Sequence, residues 1–412
     1  RIKDWPPTMK NPIAQIVSKL SQPGNHSSDM EAILVETGIN YIFPKEVEQQ
    51  AEELPTEITK AEIKRRRDMR DIFTITIDPY DAKDFDDAIS YRKLENGFIE
   101  IGVHIADVSH YIIPDGPIDK EAYSRGTSVY LVDRVIPMLP EKLSNNVCSL
   151  RPHEEKLTFS AIFEMDDKGH IVNEWFGKTV IYSDRRFTYE EVQEIIESKS
   201  GEYVDEILVI NKISTLLREK RFASGAISFE TQEVKFILDE NFVPTGLYVK
   251  ERKEAHMLIE DLMLLANRRV AFHLSKNFTK VPFVYRVHDT PDIQKLEEFG
   301  ENAKRFGHKL KLDSPKNISA ELNRLMNDIK GKPEQNILES LAIRCMAKAV
   351  YTTKNIGHYG LAFEHYTHFT SPIRRYPDLM VHRILANVLD NHTLLYANRE
   401  QLEDKCRHSS AT

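Results

Sequence analysis

The segment Asp78-Pro79-Tyr80-Asp81-Ala82-Lys83-Asp84-Phe85-Asp86-Asp87 follows directly on the alternating run Phe73-Thr74-Ile75-Thr76-Ile77. Alternation at period two makes that run a strand with Phe73, Ile75 and Ile77 on one face, so Asp78 falls where the strand gives way to a loop. Five carboxylates then lie within ten residues. Like charges that close raise one another's pKa and destabilise any fold that gathers them, unless a cation offsets the repulsion. Hard carboxylate oxygens select Mg²⁺, Mn²⁺ or Ca²⁺ over zinc. A fold that orders this segment must leave it in water or supply a divalent ion.

A solvated acidic turn is the plain alternative in a chain with 29% charged residues. Phe85 and Ala88-Ile89 argue against it, because apolar residues interleaved with the acids pin them to a packed sheet. An EF-hand loop fails on position: counting Asp78 as the first residue puts Lys83 where glycine is required and Ile89 where the bidentate glutamate belongs. Acids pinned in a cleft point to catalysis.

A chain of 412 residues has room for two or three domains and a substantial core. No apolar run approaches the ~18 residues of a membrane span. The first residues lack the basic-then-apolar pattern of a signal peptide, so a cytoplasmic protein without a membrane segment is expected. Cys148, Cys345 and Cys406 are widely spaced and fit neither a zinc site nor a disulfide framework. A net charge of −8 excludes a generally basic surface but leaves room for a locally basic channel.

Along the chain, Trp5-Pro6-Pro7, Pro12, Pro23-Gly24 and the run Ala32-Ile33-Leu34-Val35 read as a few strands and turns over residues 1–45. Residues 46–70 read as a charged linker whose helix, Ile58 to Arg70, carries Lys64-Arg65-Arg66-Arg67 on a solvated face. Ile99, Ile101, Val103 and Ile105 mark a second strand containing His104, read as a satisfied core histidine. Pro117 to Arg125 is a short helix closed by Gly126. Leu157–Met165 and Ile171–Tyr182 form a hairpin across Asp166-Asp167-Lys168-Gly169. Thr188 with Glu191 is a capping box for a helix through Ser198, and a second helix ends near Phe222. Ala226 to Leu238 returns to strand, and Glu254 to His273 is a long helix. Helices then follow at 291–299, 317–329, 333–351 and 372–388. Strands early and helices late predict an α+β domain over about 71–390.

A second constellation, Thr370-Ser371-Pro372-Ile373-Arg374-Arg375-Tyr376-Pro377-Asp378, reads as a helix start. Ser371 would cap it, Pro372 would be its first residue, and Arg374 and Arg375 would lie in a first turn that already favours an anion such as phosphate. Pairing with Asp378 is the plain reading for Arg375. For Tyr130, beside the proline-stiffened Ile136-Pro137-Met138-Leu139-Pro140, and for Phe229, core packing is the plain reading.

Together, Asp78 to Asp87 with its Asp-x5-Asp-x-Asp-Asp spacing, Ile136 to Pro140, Leu258-Ile259-Glu260-Asp261 and Thr370 to Asp378 resemble the RNB catalytic domain of ribonucleases II and R, the bacterial ribonuclease R branch most of all. The resemblance covers nearly the whole chain. It implies a mixed or antiparallel sheet with surrounding helices enclosing an RNA channel. Trp5 to Phe43 is similar to the end of a cold-shock (OB-type) domain, and residues 391–412 to a linker toward a C-terminal OB-type domain, so both flanking RNA-binding domains are expected outside this chain. By resemblance Asp78, Asp84, Asp86 and Asp87 match metal-site aspartates, and Arg374 matches a catalytic arginine. Tyr130 matches a tyrosine that stacks on the 3′-terminal nucleotide, Phe229 a clamping phenylalanine and Glu260 an acid that contacts RNA. Arg375 is carried as a further RNA contact.

The implied activity is processive 3′→5′ hydrolysis of single-stranded RNA to nucleoside 5′-monophosphates, by a monomer using two Mg²⁺ ions, with Mn²⁺ as substitute. General chemistry supports the roles. Two metals roughly 3.5–4 Å apart can activate water and neutralise both the attacking and leaving oxygens. Aromatic stacking grips every base alike. The alternatives are an RNA-binding module that has lost activity and a metal-dependent phosphodiesterase acting on DNA.

Overall fold

The computed structural model describes residues 2–16, 26–229, 233–240, 243–312, 315–390 and 398–412. Its centre is a seven-stranded mixed sheet: β1 (Arg67–Asp68), β2 (Thr74–Asp78), β3 (Asp87–Lys93), β4 (Ile99–Ala106), β5 (Glu155–Met165), β6 (Ile171–Tyr182) and β7 (Arg185–Thr188), in the order β7-β2-β3-β4-β5-β6-β1. The middle five strands are antiparallel, while β7 joins β2 and β1 joins β6 in parallel.

Strand alternation gives this sheet two unlike faces. Ile75, Ile89, Val103, Ala161 and Phe176 lie in register on one side, and all are buried. Helices α3 (Glu254–Asn277) and α7 (Tyr376–Leu389) cover that side, with His273 at 4.8 Å from Phe176 and His382 at 5.3 Å from Phe159 between ring centres. The other side carries a row of buried hydroxyls. His104 bonds Ser90 at 2.8 Å and Ser160 at 2.6 Å, and the row continues through Thr179 to Thr158. Burial, then the charge of Arg67, pushes the His104 imidazole down to about 3, so it is neutral, one nitrogen donating and the other accepting.

Helices α1 (Tyr189–Ser198) and α2 (Val204–Ala223) follow β7, and α1 begins on the expected capping box between Thr188 and Glu191. Helices α4 (Ile293–Arg305), α5 (Pro315–Ile329) and α6 (Gln335–Cys345) build a second, smaller core around Leu296, Phe299, Leu322 and Leu338. A separate hairpin, Glu233–Leu238 with Pro244–Lys250, precedes α3.

Several expectations are corrected. The run Ala32–Val35 lies in a helix, His26–Glu36, rather than a strand. The predicted helix over 58–70 shrinks to Lys60–Lys64, capped by Thr59, because Arg67–Asp68 leaves to pair with β6. Arg66 is not solvated: it is buried against Glu62 and Asp107, each at 2.8 Å. The strand predicted from Ala226 begins at Glu233, with residues 230–232 outside the described ones. The helix expected over 333–351 stops at Cys345, and Val350–Thr352 forms a strand with Tyr285–Val287. Within the stretch read as a C-terminal linker, Arg399–Ala411 is helix α8, with Leu402 and Cys406 fully buried. Residues 391–397 and the Pro23-Gly24 turn lie outside the described residues.

The hydroxyl row leaves no room at Gly102, where an added Cβ would stand 2.4 Å from Ser90 Oγ and 2.6 Å from His104 Nε2. Gly102→Ala should therefore lower stability by about 1–3 kcal/mol, as overpacking of a tight interior does. Urea unfolding of the variant beside the parent measures it, and equal midpoints would refute the row as a packing constraint.

Candidate active site

Strands β2 and β3 pair at only two positions, Thr74 with Ser90 and Ile75 with Ile89. Beyond Ile75 they part. The end of β2 goes on pairing with β7, Thr188 opposite Asp78, while β3 pairs with β4, Asp87 opposite Ile105. The acidic loop spans this opening. Its second half is fixed by Ser149, whose Oγ accepts from the Phe85 N–H at 3.0 Å and donates to the Lys83 carbonyl at 2.7 Å. The Ala106 N–H donates to the Asp86 carbonyl at 2.9 Å. Phe85 is buried, so the apolar residues within the acid run do pin it to the sheet.

All four predicted aspartates stand above the ordinary carboxylate range. Burial is the first cause for each, and the Asp87 charge adds to it at Asp78. Arg374 opposes the rise at Asp84, Asp86 and Asp87. Asp86 is oriented from far along the chain, its Oδ1 accepting the Ile373 N–H at 3.0 Å, with Arg374 Nε 3.7 Å from its Oδ2. Asp78 Oδ2 is buried without a hydrogen-bond partner.

Arg374 does not occupy the first turn of a helix, as the sequence predicts. Helix α7 starts at Tyr376, with Arg375 at its N-cap and Pro377 in the first turn. Residues 371–375 form a preceding turn in which the Arg375 N–H donates to the Ser371 carbonyl at 3.0 Å. The physical reason is Asp378: it accepts the Ser371 N–H at 2.8 Å and takes Arg375 in a two-bond pair at 2.8 and 2.9 Å, folding the segment back on itself. Arg375 is thereby turned inward. The Arg374 side chain, 41% exposed, rests on Ser371 Oγ at 2.9 Å.

The same segment holds Tyr130. Thr127 Oγ1 and the Ser128 N–H both donate to the Arg374 carbonyl, at 2.9 and 3.0 Å, and the Tyr376 N–H donates to the Gly126 carbonyl at 2.9 Å. Gly126, with φ +67°, ends the Pro117–Arg125 helix and turns the chain into this seam. Tyr130 follows two residues after Ser128 and is 57% exposed rather than core. Loss of solvation, then the charge of Asp84, pushes its phenol up to about 12.

Asp78, Asp84, Asp86, Asp87, Arg374 and Tyr130 thus share one site. Phe229 packs against the second core. On α3, Asp261 turns inward to Ser214 and Arg221, at 2.9 and 3.1 Å, while Glu260 pairs with Arg252 and lies 3.6 Å from Arg221. Two residues went unnoticed in the sequence. Burial, then the charges of Asp87 and Asp78, pushes the Tyr189 phenol up, and its ring stacks on His256 at 4.2 Å and 11°. Arg186 lies beside Asp78 and opposes the rise of its carboxyl. Their only advance signal is position, on and just after a strand that pairs with β2.

The donor set fits a hard divalent cation: oxygen ligands, raised carboxyls and one orphaned carboxylate oxygen. Among the described residues no three acids, histidines or cysteines converge closely enough to cage an ion alone. Such an open set suits Mg²⁺, which keeps waters and is completed by substrate phosphate oxygens.

A mixed sheet carrying an aspartate cluster at its parted strand ends, with an arginine brought in from a distant turn, defines an RNB-type fold. The chain belongs to the RNB domain family, matching it over residues 66–391. It is 40% identical over 417 residues to Ribonuclease R 1 of Lactococcus lactis subsp. lactis (strain IL1403), covering 99% of this chain and 50% of that protein. The solved structure of Mycoplasma genitalium RNase R in complex with ribose methylated single-stranded RNA matches with a TM-score of 0.86 at 31% identity, over 93% of this chain and 61% of that one. A relative named Inactive exonuclease DIS3L2, from Arabidopsis thaliana, is 35% identical over 433 residues, 99% of this chain and 41% of that protein. The chain spans about half the length of the curated relatives it matches. Since the family includes a member named inactive, the site's own side chains must carry the argument for turnover.

Each raised carboxyl makes the folded protein hold more protons than the unfolded chain between its ordinary and raised pKa, so the contribution of these four groups to metal-free stability falls as pH rises through that window. Histidines held neutral by burial, His104, His358 and His368 among them, act with the opposite sign below about pH 6.5. The metal-induced change therefore isolates the aspartates: Mg²⁺ or Mn²⁺ should raise the Tm more at about pH 8 than at about pH 5, where protons compete for the oxygens. An equal metal-induced shift at both ends would remove the metal assignment.

Proposed function

We propose that this chain is the catalytic part of an exoribonuclease that removes nucleotides from the 3′ end of single-stranded RNA, processively and as 5′-monophosphates. The observation that carries this reading is the set of four raised carboxyls where β2 and β3 part, Asp78 with Asp84, Asp86 and Asp87, the last three opposed by Arg374, which stands 3.7 Å from Asp86. Residues 71–390 are the catalytic domain, with 1–45 as part of a cold-shock or OB-type domain. The site would work in the cytoplasm, as a monomer.

The four aspartates would hold two Mg²⁺ ions, or Mn²⁺, which when bound supply an activated water and neutralise charge on the phosphate oxygens. Asp86 is aimed by the Ile373 N–H, so its ligating direction is fixed before substrate arrives. Arg374 offers donors to the scissile phosphate from a backbone clamped by Thr127 and Ser128. A planar guanidinium matches two phosphate oxygens at once, which an ammonium does not. Tyr130 presents an open ring on which the terminal base can stack whatever its identity. Phe229 would close on the same nucleotide from the second core, and Glu260 would meet the strand near its entry. Arg375, carried as an RNA contact by resemblance, pairs with Asp378 as its plain reading has it and shapes the turn that presents Arg374.

A 5′-labelled and a 3′-labelled RNA, each with and without EDTA, test activity, direction and metal dependence together, and an all-deoxy oligomer separates RNA from DNA. Asp86→Asn should abolish cleavage while leaving RNA affinity in EDTA unchanged. Arg374→Lys should cost about 10²–10³ in turnover, the usual worth of one well-placed donor to a developing anion, at unchanged affinity. Parallel loss of binding and cleavage in Asp86→Asn, or near-normal turnover in Arg374→Lys, would sink the assignment of that residue.

Tyr130→Ala removes a stacking contact of roughly 1–3 kcal/mol, which a short RNA feels more than a long one held at many bases. Long substrates should still be degraded but leave longer end products, whereas Tyr130→Phe should match the parent. Unchanged end products would withdraw Tyr130 from the substrate path.

A further inference from the structure

Arg186 takes no part in the chemistry just described, yet it touches the acidic loop at both ends. It lies on β7 opposite Thr76, so its side chain shares a face of the sheet with Asp78. Its Nη2 donates to the carbonyls of Pro79 and Tyr80, at 2.5 and 2.9 Å. The Pro79 carbonyl also accepts the Ala82 N–H at 3.1 Å, so the turn that leaves Asp78 is closed by its own backbone and capped by the guanidinium. The guanidinium carbon is 5.6 Å from the centre of the Phe85 ring, which is buried. Ser149 anchors the second half of the loop, through Lys83 and Phe85. Arg186 does the same for the first half.

Two effects of this arginine on a bound cation oppose each other. Its charge, beside Asp78, competes with a metal for the carboxylate, so its removal alone would tighten metal binding. Its hydrogen bonds fix the backbone immediately after Asp78, so their removal would let that carboxylate swing and loosen binding. Geometry decides between them. One nitrogen is spent on two carbonyls rather than on Asp78, and both Arg186 Nε and Asp78 Oδ2 stay buried without a hydrogen-bond partner. A residue placed to neutralise Asp78 would form that ion pair directly.

We propose that Arg186 is a positioning residue of the metal site: by holding the Pro79 and Tyr80 carbonyls it fixes the direction in which Asp78 presents its carboxylate to a divalent cation. This rests on the metal reading of the aspartates given above. Groups behind first ligands typically change metal affinity by about 10- to 100-fold when removed.

The test is a Mn²⁺ titration of the full chain without RNA, followed by electron paramagnetic resonance, for the parent and Arg186→Met. Methionine keeps the apolar bulk against Phe85 and gives up every donor. The variant should bind Mn²⁺ about 10-fold more weakly at a temperature where circular dichroism shows it folded, with RNA affinity in EDTA unchanged. Equal affinity with a lowered Tm would make Arg186 a structural residue only, and tighter Mn²⁺ binding would make it a counter-charge. Either result overturns the proposal. Should Arg186→Met not fold, Arg186→Lys keeps the charge without the planar fork and is expected to weaken binding as well. A parent that binds no Mn²⁺ at all would instead strike the metal reading itself, so the two failures are told apart.

Discussion

Four carboxylates, Asp86 buried and Asp78, Asp84 and Asp87 half-buried, stand close enough to repel one another, and the structure around them is arranged to withstand that repulsion. Buried like charges destabilise a fold unless a cation or rigid surroundings offset them. Here the rigidity comes from parted strands, each held by a different neighbour: β2 by β7, β3 by β4. Stability is supplied elsewhere, by the apolar sheet face under α3 and α7 and by the hydroxyl row on the opposite face. Strain at the strand ends is thus separated from the packing that sustains it. On the function proposed above, a chain of net charge −8 would meet a polyanion through local positive groups. Two of these near the acids, Arg374 and Arg186, are placed by hydrogen bonds.

What was legible in the sequence was what is encoded locally. The alternating run before Asp78, the hairpin across residues 166–169 and the capping box at Thr188 each carry their signal within a few residues, and each is present. The apolar residues inside the acid run correctly placed it against a sheet. The readings that failed depended on contacts from far away. Pro372 looked like the first residue of a helix, but the start is delayed to Tyr376 by the pairing of Asp378 with Ser371 and Arg375. The basic run at residues 64–67 looked solvated, but Asp107 on another element draws Arg66 inward. Arg186 and Tyr189 were invisible as site residues because a parallel pairing between strands 110 residues apart leaves no local trace. Tyr130 could be read either way until its exposure was known.

The seam between residues 126–128 and 374–376 couples two parts of the site that a contact map would treat separately. Tyr130 and Arg374 depend on the same short hydrogen-bonded stretch, so a substitution at Thr127 would disturb the ring and the guanidinium together. Effects of such neighbours are not expected to add. A double-variant comparison at Thr127 and Tyr130 would therefore report the seam and not two independent contributions.

The bond from the Ile373 N–H to Asp86 spans 287 residues of chain. Contacts that distant form late, because a long loop must close before they repay its ordering. During translation the aspartates leave the ribosome long before the turn that carries Arg374 does. Until that turn has emerged and docked, the growing chain holds an acidic loop with neither its arginine nor the backbone donor that aims Asp86. On the function proposed above, such a site would come off a machine made of RNA unarmed.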